Sequence, residues 1–419
     1  MSKISILGGY NTKFGAFVKK NKETGEITDT KSLYELMAEA IQGAVADAQV
    51  DPKEIDGIWV GSFAPGLFTS QDHLGPQALE AFPEAFRFKP TQRVEGACAS
   101  SSMAILNAMY AIESGRFKTV LVVGIEKMNL LNTAGVTHAL AGASYWPLEG
   151  AQGMTFPGLF AEYAKGYKSH YKFSDRDLQK MLATVAALGY KNGLENPLAH
   201  FSKGGPSDRL GLVTADAIIN LPEERNPMIA EPLRLHDCSL VTDGAAALVL
   251  TPTEIAKSRK SMVVEISGIG HTTERLAISN RENMYELIAG KKAVAQAFGE
   301  AGITIKDVQA AEVHDCFTIN QLLCTEALGL SKDGMAGHDY VAGKFTSEDS
   351  CPINLSGGLK SKGHPVGATG ASMHVLLYKQ MVEQPIGVAR KAGTPEVTAT
   401  LNVGGSSVTN SVTVMKRVK

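Results

Sequence analysis

At 419 residues the chain can bury a large core and fold as two domain-sized units. Charged residues make up 20% and the net charge is −2, so no basic field points to nucleic acid or to an acidic membrane surface. Five cysteines without tandem Cys-x-x-Cys spacing argue against a disulfide framework and against a zinc ribbon. The first apolar run is too short for a signal peptide, and no stretch reaches the roughly 18 apolar residues of a membrane span. The closing Lys-Arg-Val-Lys is not a peroxisomal tripeptide. The expectation is a soluble cytoplasmic protein in a reducing compartment.

In chain order, Ser32 to Ala48 reads as a helix. Ser32 and Glu35 form a capping box, and Leu36, Met37, Ala40, Ile41, Ala44, Val45 and Ala48 share one face. Ile58-Trp-Val60 is a short strand ended by Gly61. Cys98, in Val94-Glu-Gly-Ala-Cys-Ala-Ser-Ser-Ser102, falls where a strand gives way to a helix over Ser100 to Ser114. A helix N-terminus favours thiolate there, although a lone cysteine is more often a small buried packing group. Thr119 to Gly124 reads as a buried parallel strand. Alternation of this kind predicts a layered α/β fold.

From about residue 125 to 232 the rhythm stops, and Gly, Pro, aromatic and basic residues take over. Such an insertion usually covers a ligand site. The strand pattern resumes at Thr242 to Leu250. Farther on, Ala301–Cys316 aligns without gaps to Ala48–Phe63: a helix end, a Lys-acid-Ile/Val turn, then an apolar strand opening into a loop. Identity is low, and two unrelated helix–strand units could match by chance. The repeated order of elements favours two similar halves, 1–255 carrying the insertion and 256–419.

His314-Asp-Cys-Phe317 follows the strand Ala310 to Val313, and the carboxyl end of a strand is where open α/β sheets place ligands. A core cysteine beside a hydrogen-bonded histidine is the competing reading. His236-Asp-Cys238 repeats the same three letters and reads as structural, as do Cys324 and Cys351. Neither triplet has tetrahedral metal spacing. His364 lies in Asn354-Leu-Ser-Gly-Gly-Leu-Lys-Ser-Lys-Gly-His-Pro-Val-Gly-Ala-Thr-Gly370, among too many glycines for a core histidine. Asn402-Val-Gly-Gly-Ser-Ser407 offers backbone N–H groups at another glycine-rich strand end, or a simple turn.

Together, Ala-Cys98-Ala-Ser-Ser, Gly-His364-Pro, Asp243-Gly-Ala-Ala-Ala and Gly404-Gly405 resemble the thiolases over essentially the whole chain. The resemblance implies an α/β thiolase fold: two similar βαβαβαββ halves in a layered arrangement with an inserted loop region. The His314-Asp-Cys-Phe317 form is similar to the sterol-carrier-protein-type thiolases and their archaeal and bacterial relatives. Ordinary thiolases have Asn-Glu-Ala-Phe there, and a second catalytic cysteine where this chain has Asn402.

By that resemblance Cys98 is the nucleophile, His364 takes its proton, and Cys316 is the acid/base in place of the missing C-terminal cysteine. His314 and His364 build the enolate oxyanion hole. The backbone N–H groups of Cys98 and Gly404 build the other. Asn402 is a bystander to proton transfer. Ser101-Ser102 stands where many thiolases have glycine, which would narrow the acyl pocket.

The implied activity is acetyl-CoA C-acetyltransferase or 3-ketoacyl-CoA thiolase, working through an acyl-cysteine. Coenzyme A is a substrate, and no metal or bound cofactor is implied. Its phosphates are expected to meet lysines or arginines of residues 160–210. The resemblance also implies a homodimer or homotetramer, with no nucleic-acid or membrane partner. Two alternatives remain. One is an acyltransferase subunit needing a small β-barrel (OB-fold) partner. The other is a non-catalytic acyl-binding subunit, which would have no need of all four side chains.

Overall fold

The computed structural model describes residues 3–21 and 23–419. Nine strands form one mixed sheet: β1 (Ile4–Asn11), β2 (Gly57–Gly61), β3 (Thr91–Val94), β4 (Val120–Glu126), β5 (Gly244–Pro252), β6 (Val264–Thr273), β7 (Ala310–Val313), β8 (Val397–Gly404) and β9 (Thr409–Arg417). Their order across the sheet is β7-β8-β9-β6-β1-β5-β4-β2-β3. Seven helices matter to the site: α1 (Leu33–Ala48), α2 (Ser100–Glu113), α3 (Phe156–Tyr171), α4 (Asp175–Leu194), α5 (Ile288–Ala301), α6 (Thr318–Ala327) and α7 (Thr369–Met381). Among the described residues, no helix is long and apolar enough to cross a membrane.

The sheet order contains a repeat. From the edge inward, the first half runs β3-β2-β4-β5-β1 and the second runs β7-β8-β9-β6. In the second half the place of β3 is held by a single parallel bridge, Ile353 to Ala311. Strand directions also match: β2 and β4 are parallel, as are β7 and β8, and each half then turns antiparallel. The halves meet where β1 and β6 pair antiparallel, Ile4 opposite Ile266 and Ile6 opposite Val264.

The gapless echo read from the sequence has a structural counterpart at each step. Helix α1 ends at Ala48 with Gln49 in the left-handed region, and α5 ends at Ala301 with Gly302 in the same conformation. Asp51 and Thr304 each begin a short 3-10 turn with a capping box closed by Glu54 and Asp307. Gly57 and Ala310 then open β2 and β7. A left-handed residue at the end of each helix and a side-chain cap on the turn that follows fix where the chain turns back toward the sheet.

Three apolar layers hold these pieces. Helix α1 buries Leu36, Met37, Ile41 and Val45 on one face of the first half. Burying each of these large side chains is worth about 1.5–3 kcal/mol against leaving it in water. Helices α2 and α7 pack between the halves, with Ile105, Met109, Val375 and Tyr378 sharing a core with β1, β4, β5, β6 and β9. A buried hydrogen bond joins them, from the Ala371 N–H to the Ser101 hydroxyl at 2.8 Å. The third layer joins α5, α6 and the second half to α3 and α4 of the insertion through Phe160, Tyr167, Met181, Leu322 and Phe317. The insertion, leaving from the first half, is therefore anchored on the second and spans the boundary above the strand ends.

Candidate active site

Four segments bring their chemistry to one cavity of about 180 Å³, lined among others by Cys98, Cys316, His364, Met128, Val136, Leu140, Phe156, Val241 and Gly405. Cys98 sits in a 3-10 turn, Ala97–Ala99, directly before α2. Cys316 lies in the loop between β7 and α6. His364 follows Gly363, whose φ of +116° suits glycine alone; a Cβ at that position would lie 2.7 Å from Thr242. Phe156 and Pro157 come from the insertion, as do Val136 and Leu140. On one side Cys98 packs in an apolar cluster with Phe68, Met128, Val136, Ala139 and Val366.

The reacting groups are close. The ligand atoms of Cys98, His314 and His364 lie within 4.8 Å of one another. That spacing is compact enough for a metal triad, and equally for proton transfer between neighbours. The His314 and His364 rings meet edge to face with centroids 5.1 Å apart. His314 is fully buried, and its Nε2 has no hydrogen-bond partner. The Nδ1 of His314 lies 2.9 Å from the side-chain amide nitrogen of Asn402, which also donates to the Cys98 carbonyl at 3.3 Å. The Nδ1 of His364 lies 2.7 Å from the Thr369 hydroxyl.

Burial dominates the electrostatics. It pushes the Cys98 thiol up to about 12, against the opposing pull of the Gly405 amide. A lowered pKa from the helix N-terminus was the expectation; in the structure desolvation outweighs it and Cys98 rests as a thiol. Burial likewise raises Cys316 well above the usual thiol range, helped by the neighbouring Cys98 sulfur and Asp315. Burial and the Lys362 ammonium lower His364 to about 3, and burial with His364 lowers His314 as well, so both imidazoles are neutral. A neutral base next to a neutral thiol is set to take a proton as the sulfur attacks, not before.

Two details bear on the sequence reading. The Gly405 amide, which favours the Cys98 thiolate, follows directly on Gly404, the expected oxyanion-hole donor. Gly404 ends β8, paired with Thr409, and its backbone lies so tight on the Gly96 carbonyl that a Cβ would approach it to 2.1 Å. Ser101 and Ser102 narrow no pocket. They face inward, Ser101 toward α7 and Ser102 donating to the Asn402 side-chain oxygen at 2.7 Å.

His236-Asp-Cys238 is structural in its bonds but not remote from the site. His236 Nδ1 lies 2.7 Å from the Tyr190 hydroxyl, and Asp237 accepts from Thr318 at 3.0 Å. Cys238 lines the cavity and bridges antiparallel to Phe317, while the Ser239 N–H donates to the Cys316 carbonyl at 2.8 Å. Nothing in the local sequence shows this pairing, because it joins segments of different halves. Cys324 and Cys351 are buried and free.

The comparisons with known proteins agree with this geometry. Residues 4–254 match the family model described as "Thiolase, N-terminal domain", and residues 270–417 match "Thiolase C-terminal domain-like". The chain belongs to the thiolase family. It is similar to an acetyl-CoA acetyltransferase of Methanothermobacter thermautotrophicus, 33% identical over 100% of both chains. One of Methanocaldococcus jannaschii is 34% identical over 99% of both. Sterol carrier protein 2 of Bos taurus is 27% identical over 88% of this chain and 66% of that protein. Among solved structures, an Ltp2-ChsH2(DUF35) aldolase superposes with a TM-score of 0.78 at 20% identity, covering 99% of this chain and 98% of the other. An acetyl-CoA acetyltransferase from Syntrophomonas wolfei gives 0.68 at 16% identity, with both chains fully covered.

Proposed function

We propose that this thiolase is an acetyl-CoA C-acetyltransferase or 3-ketoacyl-CoA thiolase that transfers acyl groups through a thioester on Cys98. The convergence of Cys98, His364 and Cys316 on one apolar cavity, with His314 buried beside Cys98 and His364, carries the reading. The full-length likeness to acetyl-CoA acetyltransferases supports it.

In thiolysis the Cys98 sulfur bonds to the 3-keto carbon while His364 takes its proton. The bond between carbons 2 and 3 breaks, its electron pair enters the acetyl-CoA enolate, and Cys316 protonates carbon 2. Coenzyme A then gives its thiol proton to Cys316 and attacks the thioester. Cys98 leaves and recovers its proton from His364. Because Cys316 rests as a thiol, it is ready to protonate the enolate. Negative charge on the tetrahedral oxygen meets the N–H groups of Cys98 and Gly404, with the Gly405 amide beside the Cys98 sulfur. The enolate oxygen meets His314 and His364. Losing one such donor typically costs on the order of 10²–10³ in rate.

Acyl-CoA is the substrate class, and coenzyme A serves as substrate rather than resident cofactor. Five free cysteines support a reducing, cytoplasmic setting. A small β-barrel partner is a second element of the reading, supported by the likeness to the two-component Ltp2-ChsH2(DUF35) aldolase. Incubation with acetyl-CoA followed by peptide mapping tests the core: the acetyl mass is expected on Cys98. Its appearance on Cys316 with Cys98 unmodified would overturn the assignment.

A further inference from the structure

Two histidines stand beside Cys98, and in each one ring nitrogen is held by a chemically different neighbour. On His314 the neighbour is the Asn402 amide nitrogen, 2.9 Å from Nδ1. An amide NH₂ can only donate, so the identity of that atom decides where the imidazole proton sits. Two further contacts fix which way the amide points. Its nitrogen also donates to the Cys98 carbonyl at 3.3 Å, an atom that can only accept. Its oxygen accepts from the Ser102 hydroxyl at 2.7 Å. The whole group is buried, and Gly370 leaves it room: a Cβ there would lie 2.8 Å from the Asn402 oxygen. Turned over, the amide would set oxygen against the Cys98 carbonyl.

We infer that Asn402, oriented by Ser102 and the Cys98 carbonyl, is a positioning residue that holds His314, beside Cys98 and His364, in the tautomer with its proton on Nε2. His314 Nδ1 accepts, so the neutral ring carries its one proton on the other nitrogen. That nitrogen is the buried Nε2 with no partner in the resting protein. An unpartnered buried N–H is costly, and it is kept where a charge will develop.

His364 has the opposite arrangement. The Thr369 hydroxyl donates its single proton to the Pro365 carbonyl at 3.1 Å, leaving its oxygen to accept from His364 Nδ1 at 2.7 Å. His364 Nε2 is then a lone pair, fit to receive the Cys98 proton. One imidazole beside Cys98 is left with a free donor and the other with a free acceptor, and neither assignment depends on titration.

The inference rests on the thiolase reading for its consequence but not for its main observable. Nitrogen-15 labelling of the ten histidines, with His314→Gln removing one ring to assign it, reads the tautomer directly in the unmodified protein. The expected spectrum has His314 Nδ1 unprotonated and Nε2 protonated, with His364 reversed. His314 protonated on Nδ1, or a mixture of tautomers, overturns the inference whatever the enzyme does.

Two near-isosteric variants then separate tautomer control from packing. Asn402→Leu removes the donor. Asn402→Asp puts an acceptor against Nδ1 and draws the proton to it, so Nε2 can donate only from an imidazolium. The titratable groups around that ring are Cys98, His364 and Lys362, with Asp315 next in the chain. Exchange of the α-protons of acetyl-CoA into deuterated water is expected to fall a few-fold in Asn402→Leu. In Asn402→Asp it is expected to fall on the order of 10²-fold at high pH and to recover as pH drops. Acetylation of Cys98 checks folding and the thiolase reading in both. Equal losses in the two variants with no new pH limb would mean packing alone, and would sink the inference.

Discussion

In the proposed mechanism the direction of proton traffic depends on Cys316. Position 402, where ordinary thiolases carry a second catalytic cysteine, here holds an amide that cannot shuttle protons near neutral pH. A thiol has a proton to give and a sulfur that can take one, and Cys316, held as a thiol by burial beside Cys98, is the acid/base proposed here. Cys316→Ala is expected to accept acetyl on Cys98 yet lose α-proton exchange, and Cys316→Ser to be similarly impaired because a hydroxyl is a far weaker acid. Wild-type exchange in Cys316→Ala would place the acid/base group elsewhere. At this scale the sequence was informative where chemistry sits in unusual company. His364 stands among glycines, and Cys98 and Cys316 stand at strand ends. It was silent on Thr369 and on the bonds of Asn402 and Ser102, which it read only as a bystander and as a constriction of the acyl pocket. Their meaning comes from partners such as Ser102 and Asn402, which lie 300 residues apart.

At the scale of elements, the His364 loop is held by buried carboxylates rather than by its own packing. Glu126, the last residue of β4, accepts from the Ser62 hydroxyl, the Phe63 N–H and the Gly367 N–H. It thereby joins the ends of β2 and β4 to the loop. Asp315 does the same from the other half, accepting from the Leu359 and Lys360 N–H groups. Burial raises Glu126 to about 7 and Asp315 to about 6, in each case against the pull of those donors.

A carboxyl whose folded pKa lies above its unfolded value binds more protons when folded, so its contribution is complete below the unfolded pKa. It is lost as pH rises through the folded pKa. Stability against urea is therefore expected to decline between about pH 4.5 and 7 through Glu126, by on the order of 3 kcal/mol. In Glu126→Gln the absolute stability is lower, since a NH₂ must face one of three donors, but that part of the slope is expected to vanish. An unchanged slope in the variant would show that Glu126 does not titrate there. The motif Asp243-Gly-Ala-Ala-Ala was visible in the sequence; its work was not. Asp243 forms a fully buried pair with Lys127 and accepts from the Met128 and Asn129 N–H groups. It fastens the start of the insertion to β5.

At the scale of the molecule, the repeat was legible because the turn chemistry recurs: a left-handed residue, a capping box and a strand at the same offsets in 48–63 and 301–316. The third strand of the second half was not, since only Ile353 bridges there. We propose that the chain divides near residue 255, between β5 and β6, with about 125–232 belonging to the first half as its cover. The same comparison points to an unfinished surface. In the second half the outer strand is covered at Ile353. In the first, β3 pairs only with β2, and Gln92 and Arg93 are exposed along the open edge. Just before it Phe88 is 88% exposed. An open edge beside an exposed aromatic ring is a liability in a monomer and an ordinary feature of a sheet that continues into a partner. Two copies meeting at β3 about a two-fold axis would cover both edges, because a closed dimer presents the same patch from each side. Sedimentation equilibrium at micromolar concentration is expected to give a dimer or a multiple of it, and Phe88→Glu is expected to weaken that association at least tenfold, about 1.4 kcal/mol. A wild-type monomer under those conditions would refute the dimer. A Phe88→Glu protein that associates as tightly as the wild type would move the interface away from this edge.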